Sequence, residues 1–428
     1  MTEDILHFIW KHSSYFSTLY INSGGRKVEV IATGEHNNDS GPDFFNAKVK
    51  IEDTIWAGNV EIHINASDWN KHGHNLDAAY DSVILHVVAK NDTTVYNSKG
   101  DEVTTIEIGY PHNIEQHLQQ LIANEKWIPC ANYIAQFDEF KLKMWLSSIA
   151  IERLEQKTDQ VISWVHDYNN SWEEAFYVSM ARSFGLKINA LPFELLAKST
   201  PLKYLGKIKN SKTSIEATLF GQAGMLNEIT DNTDAYQQSL KKEYDYIRQK
   251  YNLTPIPTHL WKFMRLRPVS FPTIRIAQLA SLIQNSSGLF SKCIEASTLP
   301  QLYDLLTHNV SEYWETHYTF GNESNTKKKP IGKETVRIIT LNTIIPFMFA
   351  YGKLRNNQHL KDKALNLLES IAPEKNSITK GFDALGVKAD NALFSQALVH
   401  LKNNYCDKRK CLFCSIGANV LLKKAKNS

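Results

Sequence analysis

Two short segments with period-two alternation, FFNAKVKIE (44–52) and TIWAGNVEIHIN (54–65), meet across the acidic turn Glu52-Asp53. Successive side chains of a strand point to opposite faces, so this pattern predicts an antiparallel hairpin. On the first strand Phe45, Ala47, Val49 and Ile51 share a face, with Asn46, Lys48 and Lys50 opposite. On the second, Val60, Ile62 and Ile64 form the apolar face, and Asn59, Glu61, His63 and Asn65 the polar one. An edge strand carries such a polar face in water at no cost. The next segment argues against that. SVILHVV (82–88) is apolar on both faces, as in a strand inside a sheet that is covered on both sides. Such a sheet leaves little room for an idle polar face.

The flanks extend the same unit. Residues 3–16 predict a short opening helix, Lys27–Thr33 a strand, and Val95–Ile108 a hairpin turning at Asn97–Gly100. From Pro111 onward strand signals nearly vanish. Ser171 with Glu174, and Thr213 with Glu216, have the spacing of capping boxes. Helices are expected over 138–166, 233–251, 273–285, 333–351, 358–371 and 390–403. The expected organisation is therefore an α/β domain with a mixed sheet over 1–110 and a larger all-helical domain over 111–428. No fixed-period repeat supports a solenoid.

Asp43 follows Pro42 at the start of one hairpin strand, and Glu61 lies on the other. Two carboxylates brought together from adjacent strands suit a hard divalent cation such as Mg²⁺ or Mn²⁺. Such an ion polarises a phosphate and lowers the pKa of a water. His63, on the same face as Glu61, is placed to act as base, phosphate contact or third ligand. Asp68, His72, His74 and Asp77 follow closely, and His72 and His74 form an H-x-H pair able to face one metal. Asn37 and Asp39 either contact the site or form Asx-turns in their loop. His86, inside an apolar strand, is expected to be a satisfied core histidine.

Pro42-Asp43, a hairpin, and Glu61-Ile62 in strand context resemble the PD-(D/E)XK nuclease superfamily, as do the preceding helix and the buried strand that follows. The resemblance implies a restriction-endonuclease-like α/β fold in which Asp43 and Glu61 hold the metal. The departure is His63, where that pattern has lysine. Histidine lacks a fixed positive charge at neutral pH, so Lys48, Lys50 or Lys90 would have to supply it. Over nearly its whole length the chain also resembles a family of bacterial proteins without assigned function. GPDF, GNVEIH, SDWNKHGH, AYDSVILHVV, RLRPVSFPTIRIAQLA and the C-terminal cysteines carry that likeness.

Cys406, Cys411 and Cys414 are spaced C-x4-C-x2-C, so one more ligand completes a zinc or iron–sulfur site. Cys130 is the expected fourth and Cys293 the reserve; some PD-(D/E)XK nucleases clasp their domain in this way. The alternative is a set of reduced thiols near a helix end. Five cysteines, and an acidic N-terminus unlike a secretory signal, predict a cytoplasmic protein. No apolar run of membrane-spanning length is expected. Arg265, Arg267 and Arg275 among Trp261, Phe263 and Phe271 read as a packing seam before a phosphate-gripping patch.

The favoured function is a metal-dependent nuclease acting on DNA, in repair or recombination, without a membrane partner. A net charge of only +3 adds little to that. The alternatives are a degenerate nuclease fold that binds nucleic acid or a protein, and a zinc- or manganese-dependent hydrolase of another substrate built on the Asp/His group.

Overall fold

A computed structural model describes residues 2–22, 24–37, 40–109, 113–227 and 234–426; Asp39 lies outside them. Two compact units emerge. The first comprises Met1–Trp145, Ser377–Lys388 and Leu398–Ser428; the second comprises Leu146–Asn376 and Ala389–Ala397. The texture change near residue 111 does follow the last strand of the sheet. The compact unit, however, does not stop there: it takes in the helix Asn113–Ile122 and two stretches from the C-terminal part. The expected division into 1–110 and 111–428 marks a change of secondary structure within the first unit.

That unit holds a mixed sheet of β1 (Leu19–Ile21), β2 (Lys27–Ala32), β3 (Glu35–His36), β4 (Phe44–Ile51), β5 (Thr54–Asn65), β6 (Val83–Lys90) and β7 (Thr105–Glu107). The order is β1-β2-β4-β5-β6-β7, with β3 paired to β4. The predicted hairpin is β4–β5, antiparallel, with Ile51 opposite Thr54 and Phe44 opposite Val60. β6 then runs parallel to β5, and β7 parallel to β6. One antiparallel bridge, Asn22 to Ile106, links the first strand's end to the last strand.

Two local expectations fail for physical reasons. Asn46 adopts a left-handed conformation (φ 56°) at a register shift in β4. A bulge of this kind reverses the facing of side chains before it. Phe44, not Phe45, is therefore buried with Ala47, Val49 and Ile51. The segment 95–108 is not a full hairpin either. It closes a short turn with a single Tyr96–Glu102 bridge, and Thr105–Glu107 joins β6 instead.

The second unit is helical around fully buried Phe176, Phe184, Phe193, Phe220, Trp314 and Phe347. Ser171 caps the helix Trp172–Phe184, its Oγ accepting from the Glu174 amide at 3.3 Å, but the expected box is only half made, because the Glu174 carboxylate accepts from the Leu202 amide instead. The helix Lys212–Gln222 starts earlier than expected. Ser211, not Thr213, caps it, and Glu216 is buried, accepting hydrogen bonds from Tyr236 and Ser311. Lys333–Leu354, broken by a π-helical turn at Thr340–Ile344, is apolar and long enough to cross a membrane, contrary to expectation. Yet 78% of its most apolar window is buried inside the protein, where it forms core. Trp261 and Arg275 are buried and bonded within the same unit, as the packing reading expects, whereas Arg265 and Arg267 are exposed.

Candidate metal centre

The polar face of β5 is buried: Glu61 is 5% exposed and His63 2%. Parallel pairing sets Glu61 directly beside His86 on β6. After β5 the chain crosses over through the short helix Asp68–Lys71, and then turns at Gly73, whose φ is +79°. Glycine reaches that region without the steric penalty other residues meet. The turn brings His72 and His74 back against β5. Trp69, fully buried, packs edge-on against His74 and tilted against His86, and Tyr80 stacks on His74 with ring centroids 3.7 Å apart.

One ring nitrogen from each of His63, His72 and His74 lies within 4.8 Å of the others. His63 Nε2 is 3.0 Å from His72 Nδ1, and His63 Nδ1 is 2.9 Å from His86 Nε2. Glu61 Oε1 borders the same space, 3.1 Å from His74 Nε2 and 3.6 Å from His63 Nε2. His74 Nε2 is nevertheless without a well-directed hydrogen bond among the described residues. The carboxylate is close, but off the ring's N–H axis. An orphaned buried imidazole nitrogen beside two other imidazoles and a carboxylate is a donor set that fits a transition ion. His86 completes the outer layer: ligating histidines ordinarily hydrogen-bond through their second nitrogen.

Asp43 and Glu61 are brought together, as expected, by reciprocal bonds across the hairpin. The Asp43 amide donates to Glu61 Oε2 at 3.1 Å, and the Ile62 amide to Asp43 Oδ2 at 2.9 Å. Asp43 Oδ2 also lies 3.2 Å from Nε2 of His7, on the N-terminal helix Glu3–Lys11. Nothing in the residue pattern singled out His7; a lone histidine on an amphipathic helix carries no signal until the helix is docked.

The electrostatics divide the histidines. Burial, reinforced by the charges of His86, His74 and His72, pushes His63 down to about 3; burial does the same to His86. Both are neutral at pH 7, the form that binds metal. Burial opposes the charge on His7 too, but the hydrogen bond and charge of Asp43 outweigh it and raise its pKa. Glu61 is raised, by burial first and then by Asp43.

The other candidates have other work. Asp68 accepts from the Asn65 amide at 3.0 Å and from Lys71 at 2.6 Å, so it braces the crossover and is not a ligand. Asp77 caps the next turn through the Ala79 amide. Asn37 donates its side-chain amide to Ser40 and Pro42 carbonyls and its backbone N–H to the Asp43 carbonyl, so it positions Asp43. Lys48 is exposed opposite Ala57, four residues along β4 from Phe44 and so roughly 13 Å away at the usual rise. Lys50 lies further along still, opposite Ile55, and Lys90 pairs with Asn65 beyond His63. None of the three stands in for the missing lysine.

Four thiols also gather in the same unit. Cys130, Cys406, Cys411 and Cys414 are buried, unbridged and line one small cavity. A π-helical turn, Leu401–Cys406, carries one of them, and the Ile416 and Gly417 amides point at the Cys414 sulfur. Burial and mutual repulsion raise the thiols, Cys130 to about 12 and Cys411 to about 11. Cys293, the reserve, belongs to the other unit. The turn Cys411–Phe413 packs against the helix that carries His7.

Residues 3–377 match the model of a family described as Protein of unknown function (DUF2851), a match that ends before the C-terminal cysteines. No curated protein and no solved structure matches the chain.

Proposed function

The chain belongs to the DUF2851 family, which brings no activity with it, and from its site we propose a metal-dependent phosphodiesterase that cleaves DNA. The observation that carries this is the convergence of His63, His72 and His74 beside Glu61. Three imidazoles and a carboxylate favour zinc, then manganese; magnesium, which prefers an all-oxygen shell, fits poorly. His63 would ligate through Nε2, because Nδ1 is engaged by His86. When bound, such an ion supplies a Lewis acid for the phosphate and acidifies a water. Hydrolysis forms one P–O bond to water and breaks another, and the departing oxygen takes up a proton. His7, beside Asp43, is the histidine positioned to deliver it. Asp43 fixes His7 on one side and the β4–β5 hairpin on the other.

The order helix, β2, β4, β5, short helix, β6 supports a restriction-endonuclease-like core, with the Asn22–Ile106 bridge as a departure from an open sheet. The cysteine site is proposed to hold zinc or an iron–sulfur cluster that clasps the His7 helix. Five free thiols fit a cytoplasmic setting. One observation favours a second reading, binding of nucleic acid or a protein without cleavage: His63 occupies the lysine position and is held neutral.

The test is incubation with branched, single- and double-stranded DNA and Zn²⁺, Mn²⁺ or Mg²⁺. Cleavage with Zn²⁺ or Mn²⁺ that is abolished in Glu61→Ala and His74→Ala supports the proposal. Metal binding at one equivalent without cleavage favours the second reading. Cleavage unchanged in both variants sinks it.

A further inference from the structure

The second unit contains a cavity of about 600 Å³ that the metal-centre reading does not use. Its size is that of a small-molecule site. It is walled by the later turns of the long helix Glu139–Asp167, by the end of the helix Trp172–Phe184, and by the π-helical turn Thr340–Ile344 with the residues flanking it. π-helical turns inside α-helices occur disproportionately at functional sites. Here the turn presents Thr343, whose hydroxyl meets Ser183 Oγ at 2.8 Å and Ser179 Oγ at 3.2 Å, so the two wall serines are tied to it.

The charges in the wall are unequal. Lys157, Arg182 and Lys187 face a single carboxylate, Glu374, which already accepts from Gln396. Arg182 shares Glu194 with Lys198. Among the described residues the largely buried Lys157 and the exposed Lys187 at the cavity's rim have no ion-pair partner, so the cost of an unmet buried charge falls on Lys157. Burial and the neighbouring Arg153 and Arg182 bring Lys157 down to about 8, which records how much positive charge is crowded there. Proteins seldom bury unpaired cations, because taking a charge out of water is costly unless an opposite charge meets it. The other part of the lining is apolar and includes the half-buried ring of Trp164 beside Val161 and Pro346.

We propose that this cavity binds a phosphomonoester carried on a flat ring, of the class of a nucleoside monophosphate. Lys157, Arg182 and Lys187 receive the dianionic phosphate, with the Ser183 hydroxyl at hand, and Trp164 offers a face for the ring. The volume suits a mononucleotide and excludes a duplex.

The test is isothermal titration calorimetry of the full chain with adenosine 5′-monophosphate, adenosine, ribose 5-phosphate and citrate. The monophosphate is expected to bind at one equivalent, with adenosine and citrate weaker by about tenfold or more. Lys157→Met should weaken it by about tenfold while leaving the melting temperature unchanged or higher, since a crowded buried charge is removed. Trp164→Leu should weaken the monophosphate but not ribose 5-phosphate. His74→Ala should bind like the parent, which separates this site from the metal centre. The proposal is overturned by an absence of binding at millimolar monophosphate, by unchanged affinity in Lys157→Met, by loss of binding in His74→Ala, or by citrate outcompeting the nucleotide.

Discussion

Gly73 holds the geometry of the proposed metal centre in a single torsion. Its φ of +79° costs a residue with a side chain about 1–2 kcal/mol, although a Cβ there would meet nothing. Gly73→Ala should therefore lower stability by about that amount in urea titration, and lower metal affinity too, because His72 and His74 lose their shared approach. His86 acts at one remove. His86→Phe should leave the fold intact and weaken zinc binding by about 10–100-fold against a competing chelator, the usual loss when a ligand's supporting partner is removed. His63→Ala should abolish stoichiometric binding. At this scale the sequence was legible where a residue sits on a regular strand, as Glu61 and His63 do, and Asp43, just before β4, adjoins Glu61 across the hairpin. It was misleading for Asp68 and Asp77, because a carboxylate that braces a turn looks the same in sequence as one that binds an ion. It was silent on His7, whose partner is 36 residues away and set by helix docking.

Among the elements, regular periodicity survived and singular torsions did not. The span of β5 and the long helix from 139 follow the pattern closely, since each averages over many residues. One left-handed residue, Asn46, was enough to exchange Phe44 for Phe45 in the core. Packing also outranks propensity at Gly221. A Cβ there would lie 2.2 Å from the Tyr244 ring, where the helices Lys212–Gln222 and Ala235–Tyr251 cross. Alanine favours a helix by about 1 kcal/mol over glycine. Gly221→Ala should nonetheless destabilise, by about 1–3 kcal/mol on overpacking, read as a lower melting temperature for the helical unit.

For the molecule, the two units make separate predictions. Folding of the helical unit carries a pH signature from Lys157, held near 8 against an ordinary 10.5. Between those values the unfolded chain binds the proton and the folded one does not, so stability rises with pH there, by at most about 3 kcal/mol. The rise should disappear in Lys157→Met when urea titrations at pH 7.5 and pH 10 are compared. The sheet unit depends on chain far from it in sequence. The helix Ser415–Lys426 packs on Asn113–Ile122, and Cys411–Phe413 on the helix bearing His7. A fragment spanning 1–145 should therefore lack a cooperative melt by circular dichroism, and should regain one when mixed with a peptide covering 398–426. That dependence has a meaning in time. During synthesis the histidines emerge first, and the C-terminal segment that packs on the His7 helix and on Asn113–Ile122 follows more than 250 residues later, on the order of tens of seconds at ordinary elongation rates. Nascent chains would spend that interval with their imidazoles already made and the C-terminal packing of the sheet unit still absent. A ribosome that stalls before Cys406 would release a polypeptide bearing every histidine of the cluster in a unit that lacks its C-terminal packing.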